Sequence, residues 1–241
     1  MGESTVRVLR SFGVDVRFRE DQTCCGQPAF NSGYWSEAKP LARSLLRLFS
    51  DSEQVVVPSG SCASMIRVFY PELFHEDPEE LAAARALGPR VFELSEYLVD
   101  VVGAHRAKAL ARSGKARKVT YHEACHLRRE LGATTQARSL VRSLSGVDLI
   151  EMDQAEVCCG FGGTFAVKYA DISGAMLRDK VERIEASGAD VVTACDASCL
   201  MHISGGLEKA GKGVRAMHLA QLLDEQLTGG ERDGEPAPWS G

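Results

Sequence analysis

Short apolar runs recur along this chain, and each stops at a cysteine or a turn. "QVVVPSGSC" and "DVVTACDASC" are nearly unbroken Val-rich runs, the pattern of strands buried on both faces. Each ends at a cysteine that opens a helical stretch, "CASMIR" in one and "CLMHI" in the other. A third run, "KVTYHEACHL", leads a Val/Thr/Tyr strand into Cys125. After it, "TTQARSLVRSLSG" has the apolar spacing of a helix with Gly146 as its C-terminal cap, and "VDLIEM" reads as a strand. Near the start, "STVRVLRSFG" predicts a helix and "VDVRFRE" a strand. "VFELSEYLV" and "RAMHLAQLLD" each predict a short strand running into an amphipathic helix.

Set side by side, these segments form an internal repeat. Helix, strand and "DQTCCGQP" in the first copy match helix, strand and "DQAEVCCGFGG" in the second. The Val strands ending in cysteine then pair, as do the final strand-helix units. The first copy alone carries "FYPELFHEDPEELAAARALG", expected to be a surface helix begun at Asp77-Pro78. Strand and helix alternating in this way predict α/β architecture: two pseudo-symmetric repeats, each a small parallel sheet flanked by helices. The first repeat is expected over residues 1–105 and the second over 119–227. Residues 106–118 join them, with six basic residues from Arg106 to Lys118, read as a solvated linker or, more sharply, a docking patch for an acidic partner. The Gly/Pro-rich tail, 228–241, reads as disordered.

The repeat also exposes a gap. Cys125 precedes Val147 by 22 residues, and the same interval counted back from Val14 falls about eight residues before Met1. A first strand and a first cysteine are therefore expected to be missing from the first repeat of this sequence.

Composition narrows the function classes. The chain has 241 residues, 44% apolar and 25% charged, ordinary for a soluble globular protein. A net charge of -5 gives no reason to expect nucleic acid or an anionic membrane as partner. There is no run of ~18 apolar residues to span a bilayer, and "MGESTVRVLRSFG" lacks the apolar core of a signal peptide. The expected compartment is the cytoplasm, where eight cysteines read as reduced thiols, metal ligands or redox groups rather than structural disulfides.

Adjacent cysteines are poor partners for each other, because a vicinal disulfide needs a strained ring. The second repeat reads Cys125, 32 residues, Cys158-Cys159, 35 residues, Cys195, then Cys199; the first reads Cys24-Cys25, 36 residues, Cys62. Thiols so far apart converge only through the fold, and the carboxyl edge of a parallel sheet, where helix N-termini point, brings them together. That edge favours thiolates. Gly26, Gly160, Gly162 and Gly163 around the pairs let backbone N–H groups approach sulfur and any cluster bound there. Cys195 and Cys199 alone have knuckle-like zinc spacing, and adjacent cysteines suit different irons of a larger cluster better than one tetrahedral ion. Iron–sulfur chemistry is favoured, with zinc and metal-free thiol chemistry as the alternatives. His122 and His126 flank Cys125 as hydrogen-bonding neighbours or, more sharply, ligands. His75, His105, His202 and His218 form no constellation. Arg128, Arg129 and Lys168 lie near the motifs, either as surface charges or as cations that favour a reduced cluster. With no GxGxxG and no P-loop, a nicotinamide or nucleotide is not indicated.

The motifs "EDQTCCGQPAFNSGY", "PSGSCASMIR", "YHEACHLRRELG", "CCGFGGTFAVKY" and "DASCLMHI" together resemble the cysteine-rich CCG-domain family. Its pattern is a cysteine, a long spacer, Cys-Cys-Gly, a second long spacer and a final cysteine pair. The family includes heterodisulfide reductase B-like proteins and the iron–sulfur subunit of glycolate oxidase, and the likeness here is to its lactate-utilisation branch, from Val6 to about Leu227. The resemblance implies a cytoplasmic iron–sulfur protein, with a 4Fe–4S type or non-cubane cluster. It further implies that this protein works with two other lactate-utilisation subunits, one ferredoxin-like, to oxidise L-lactate to pyruvate. It marks Cys24, Cys25, Cys62, Cys125, Cys158, Cys159, Cys199 and Cys195 as metal ligands. The sequence departs from the pattern at Met65, where the first repeat's last cysteine would stand, and at Ser198, where the second's would stand. By the repeat, Cys199 matches Cys62 and Cys195 matches Pro58, which ranks Cys199 above Cys195 and leaves the first repeat's cluster less firmly held. Activity of heterodisulfide-reductase kind and a zinc-stabilised assembly scaffold are the competing expectations.

Overall fold

The computed structural model describes residues 1–104 and 116–228. His105, the basic run through Lys115 and the tail from residue 229 lie outside the described residues.

The first repeat contains α1 (Gly2–Ser11), α2 (Gln27–Asn31), α3 (Trp35–Leu48), β1 (Val55–Val57) and α4 (Gly60–Ser64). A π-helical turn, Met65–Phe69, carries α4 into α5 (Tyr70–Leu73); α6 (Pro78–Leu87), β2 (Val91–Glu93) and α7 (Leu94–Glu96) follow. The second repeat contains β3 (Arg117–Tyr121), α8 (Cys125–Arg129), α9 (Gln136–Ser143), β4 (Val147–Leu149), α10 (Phe165–Lys168) and α11 (Ala170–Ala186). It closes with β5 (Val191–Ala194), α12 (Ala197–Lys209), β6 (Arg215–His218) and α13 (Leu219–Thr228). Arg117 and Lys118, the last of the basic run, thus open β3.

Both sheets are parallel. The second has the order β4-β3-β5-β6, with Val119 opposite Val191 and Val192 opposite Ala216. All four residues of β5 are buried, as its continuous apolar run requires of a central strand. Burying Val191 and Val192 contributes roughly 1.5–3 kcal/mol each. The first sheet has two strands, β1 and β2, with Val55 opposite Val91.

The expected strand at Val14–Glu20 is not formed, and that segment is irregular. The second repeat shows why: its counterpart, β4, bonds only to β3, and no strand among the described residues stands in that place in the first repeat's sheet. Without a ladder partner an extended segment has nothing to pair with. The segment inserted in the first repeat also differs from expectation. α6 begins at Pro78 as predicted, but Tyr70, Leu73 and Phe74 before it are fully buried in the first repeat's own core, so only its second half lies at the surface.

The larger core crosses between repeats. Val8 and Leu9 of α1 and Leu94, Tyr97 and Leu98 around α7 share one apolar cluster with Val119, Val192 and Leu222 of the second repeat. α1 packs on α13, where Arg7 donates to Asp224 at 2.6 and 3.0 Å. Its counterpart α9 packs on α7. The matching helices α1 and α9 therefore each lie on the last helix of the other repeat. The junction is completed at the strand ends, where Gly60 N–H donates to the Cys195 carbonyl at 3.1 Å. Glycine is required at position 60: a Cβ there would lie 2.8 Å from Leu127 Cβ.

Candidate metal centre

Four segments of the second repeat converge at the carboxyl edge of its sheet. β3 ends at Tyr121, and the next residue, His122, donates its N–H to Thr193 of β5 at 2.8 Å. Cys125 opens α8 three residues later. Cys199 lies in the first turn of α12, whose start is fixed by Asp196: its carboxylate accepts from the Ser198 N–H at 3.2 Å. Cys158 and Cys159 arrive on the loop after β4.

The sulfurs form a connected set. The neighbouring Cys125 and Cys159 thiols hold Cys158 far below the ordinary thiol range against the opposing effect of burial. The Gly160 N–H donates to the same sulfur at 3.3 Å. Cys125 and Cys159 are raised correspondingly, and Cys159 also contacts Cys199. The backbone of Phe161 donates to Cys159, and that of His126 to Cys125. A thiolate beside two thiols, with a fourth sulfur next to one of these and backbone N–H groups aimed at three of the four, is a donor set made for cations.

His122 completes it. Its ring is buried, and neither nitrogen makes a hydrogen bond of good geometry among the described residues, although the Ala155 backbone stands close. A ligand atom of His122, Cys159 and Cys199 lies within 4.8 Å of each of the other two. Burial, and then Lys180, lower the His122 pKa to about 4, so the imidazole is neutral and offers a lone pair. Two orphaned buried nitrogens would be costly unless something binds them, and a metal would satisfy one. These residues fit a metal centre.

The first repeat reproduces part of this arrangement. The Gly26 N–H donates to Cys24 Sγ at 3.4 Å, as Gly160 does to Cys158. Cys25 Sγ donates to Cys62 Sγ at 3.3 Å, the counterpart of the contact between Cys159 and Cys199. That bond lowers Cys62 to about 7 and raises Cys25. Ser59 caps α4 by accepting from the Cys62 N–H. Cys24 is exposed, and among the described residues no counterpart of Cys125 or His122 joins these three in a ligand group.

The glycines divide. A Cβ on Gly160 (φ 90°) would lie 2.8 Å from the Ser173 carbonyl oxygen, and one on Gly26 (φ 86°) 3.2 Å from that of Ala38. Gly162 (φ 54°) turns the chain against Phe165, whereas Gly163 (φ 62°) meets nothing within 4 Å. Cys195 is fully buried and stands apart from the four-sulfur set. The Tyr121 hydroxyl donates to it at 3.6 Å, and Glu93 and Ser95 are its other neighbours. His126 lies edge-on to Phe69 and 3.3 Å from Glu130. His202 contacts Ser173 and Phe161, His75 is exposed, and His218 is buried at the end of β6. Arg128 and Arg129 are exposed, Arg128 being 3.8 Å from Glu123. Lys168 sits over the Tyr34 ring, and Ser32 and Thr164 are 2.7 Å apart, so the two Cys-Cys-Gly loops are neighbours.

Sequence reasoning passed over Lys180. It is fully buried, donating to the Gln154 carbonyl at 2.9 Å and that of Ala155 at 3.3 Å. The available signal was its place on the face of α11 that carries Ile184, one turn further on.

The cysteine-rich domain family named CCG matches residues 1–67 and 119–204, the two parts of the chain that carry the loops just described. The chain belongs to this family. Within it the chain is similar to Lactate utilization protein A of Geobacillus kaustophilus (strain HTA426), 43% identical over 224 residues, 93% of this chain and 92% of that one. It is similar also to Lactate utilization protein A of Shouchella clausii (strain KSM-K16), 43% identical over 94% of this chain and 92% of that one. Lactate utilization protein A 2 of Bacillus cereus (strain Q1) is 40% identical over 95% and 93%. Among the described residues no helix is long and apolar enough to cross a membrane.

Proposed function

We propose that this chain is the iron–sulfur electron-transfer subunit of a cytoplasmic complex that oxidises L-lactate to pyruvate; the names of its relatives support the coarser part of this, a role in lactate utilisation. The observation that carries the reading is the convergence of Cys125, Cys158, Cys159 and Cys199 with His122 at one sheet edge. An iron–sulfur cluster of 4Fe–4S or non-cubane type, when bound, supplies a one-electron acceptor and donor. Cys125, Cys158, Cys159 and Cys199 hold it in the second repeat, 119–227, with His122 as an added ligand or neighbour. The N–H groups of Gly160 and Phe161 stabilise negative charge on the sulfurs, and the buried walls keep water away. Cys24, Cys25 and Cys62 form a lesser site in the first repeat, 1–105, across the 106–118 linker. Cys195 is not a ligand in this reading. The partners are two other lactate-utilisation subunits, one of them ferredoxin-like. The chain binds and relays electrons, and oxidation of lactate takes place elsewhere in the complex.

The reading is tested by mixing the anaerobic protein with its partner subunits, adding L-lactate, and following absorbance near 400 nm. Bleaching that needs L-lactate and the partners is expected, and is lost in Cys159→Ser but kept in Cys195→Ser. If L-lactate causes no bleaching in the complete mixture, the reading is wrong. A zinc scaffold is the second reading, supported by the three-atom set of His122, Cys159 and Cys199. It predicts stoichiometric zinc and no sulfide.

A further inference from the structure

Lys180 lies beneath the Cys158-Cys159 loop, in the middle of α11, with no accessible surface. An ammonium taken out of water costs several kcal/mol unless an opposite charge offsets it. Its hydrogen-bond acceptors are the carbonyls of Gln154 and Ala155, which carry no net charge. Burial, and then Arg183 nearly one turn away, lower its pKa to about 8; Cys159, Glu156 and Cys158 act in the opposite sense and favour its charge. Glu156 is exposed to water and weakly effective for that reason. On the protein side, His122 faces the ammonium as well and is kept neutral partly by it. The ammonium is therefore buried at the foot of the loop that carries Cys158 and Cys159, and no carboxylate is among its hydrogen-bond partners.

The acceptors are informative too. Gln154 is the one non-glycine among the described residues with a left-handed backbone, φ 49°. Such a residue is held in place by its surroundings, and here Lys180 Nζ bonds its carbonyl. The Glu123 N–H bonds the next carbonyl, that of Ala155, at 3.1 Å. Lys180 thus ties the turn that delivers Cys158 and Cys159 to the end of the strand that delivers His122.

We propose that Lys180 is a positioning residue with a second, electrostatic role: it is the fixed counter-charge of the metal centre and favours its reduced, more negative state. This rests on the iron–sulfur reading above. A nearby cation in a medium of low dielectric stabilises added negative charge strongly, and local charge is one of the levers that set cluster potentials.

Two variants separate charge from geometry. Lys180→Gln keeps a donor for the two carbonyls and removes the charge; Lys180→Arg keeps the charge. Iron and sulfide are assayed first, and the midpoint potential is then measured by anaerobic titration with dithionite. Lys180→Gln is expected to lose about tenfold in preference for the reduced state, about 59 mV for a one-electron couple, with Lys180→Arg close to wild type. A fully loaded Lys180→Gln titrating at the wild-type potential would overturn the proposal, as would equal shifts in both variants. If Lys180→Gln assembles no cluster, cobalt(II) binding to the metal-free proteins decides instead. Affinity about tenfold weaker in the Gln variant only is expected, and equal affinity in all three proteins overturns the proposal. A wild type without iron or sulfide would sink the iron–sulfur reading, while the cobalt comparison still judges Lys180.

Discussion

The two Cys-Cys-Gly loops are built alike, yet they end in sites of different completeness. Both present an N–H to the first sulfur, from Gly26 and Gly160, and both set the second sulfur against a cysteine at the start of a helix. What separates them is one strand. β3 brings His122 and Cys125 to the edge of a four-stranded sheet, whereas the first repeat's sheet has two strands and offers neither. The loop and the helix start together supply three sulfurs, and the closing ligands depend on a strand over thirty residues away from the loop in sequence.

The sharpest way to break this comparison is to remove the closing ligand. Cys125→Ser is expected to abolish metal binding in the second repeat, while Cys24→Ser leaves most of the bound iron in place. Metal content per chain checks both.

A smaller effect is expected from alanine at the paired glycines. At Gly160 the left-handed backbone and a 2.8 Å approach to the Ser173 carbonyl should cost about 3 kcal/mol. At Gly26 the approach to Ala38 is 3.2 Å, and the cost should be nearer 1 kcal/mol. Denaturant titration of the two variants measures the difference.

Glu93 and His218 are repeat counterparts at the ends of β2 and β6, and each caps the helix that follows through the N–H two residues on. Burial raises Glu93 to about 7 and lowers His218 to about 4. The signs are opposite. The Glu93 contribution is full below its usual value of 4.5 and is lost as pH rises through about 7. That of His218 is full above 6.5 and is lost as pH falls through about 4. Wild type should accordingly show a flattened pH profile between 4.5 and 6.5. Glu93→Gln should make stability rise more steeply with pH across that window, as read from denaturant midpoints. A parallel profile would refute the pairing.

The smallest effect is expected at the junction. Ser59→Ala removes the cap on the Cys62 N–H and a bond to Asp196, and should cost about 1 kcal/mol.

Much of this was legible before any coordinates. The β1/β5 and β2/β6 equivalences, the parallel sheets and the convergence of Cys158, Cys159 and Cys199 follow from apolar runs that stop at cysteines. The segment from Val14 to Glu20 misled because its alternation is that of a strand, and pairing depends on a neighbour the pattern cannot name. The crossing of α1 onto α13 was equally hidden: a repeat shows which helices correspond, not which repeat each one packs against. Lys180 and Cys195 needed depth. The lysine signalled burial only through its place one turn from Ile184, and a cysteine near a motif gave no hint that it lies beside Tyr121 and Glu93.

The most direct test of the central claim is an assay of iron, zinc and acid-labile sulfide on one anaerobically purified wild-type sample, with its absorption spectrum. Iron and sulfide together, with absorbance near 400 nm, are the predicted result. A colourless protein with zinc and no sulfide, or one that holds no metal after reconstitution, would contradict the account.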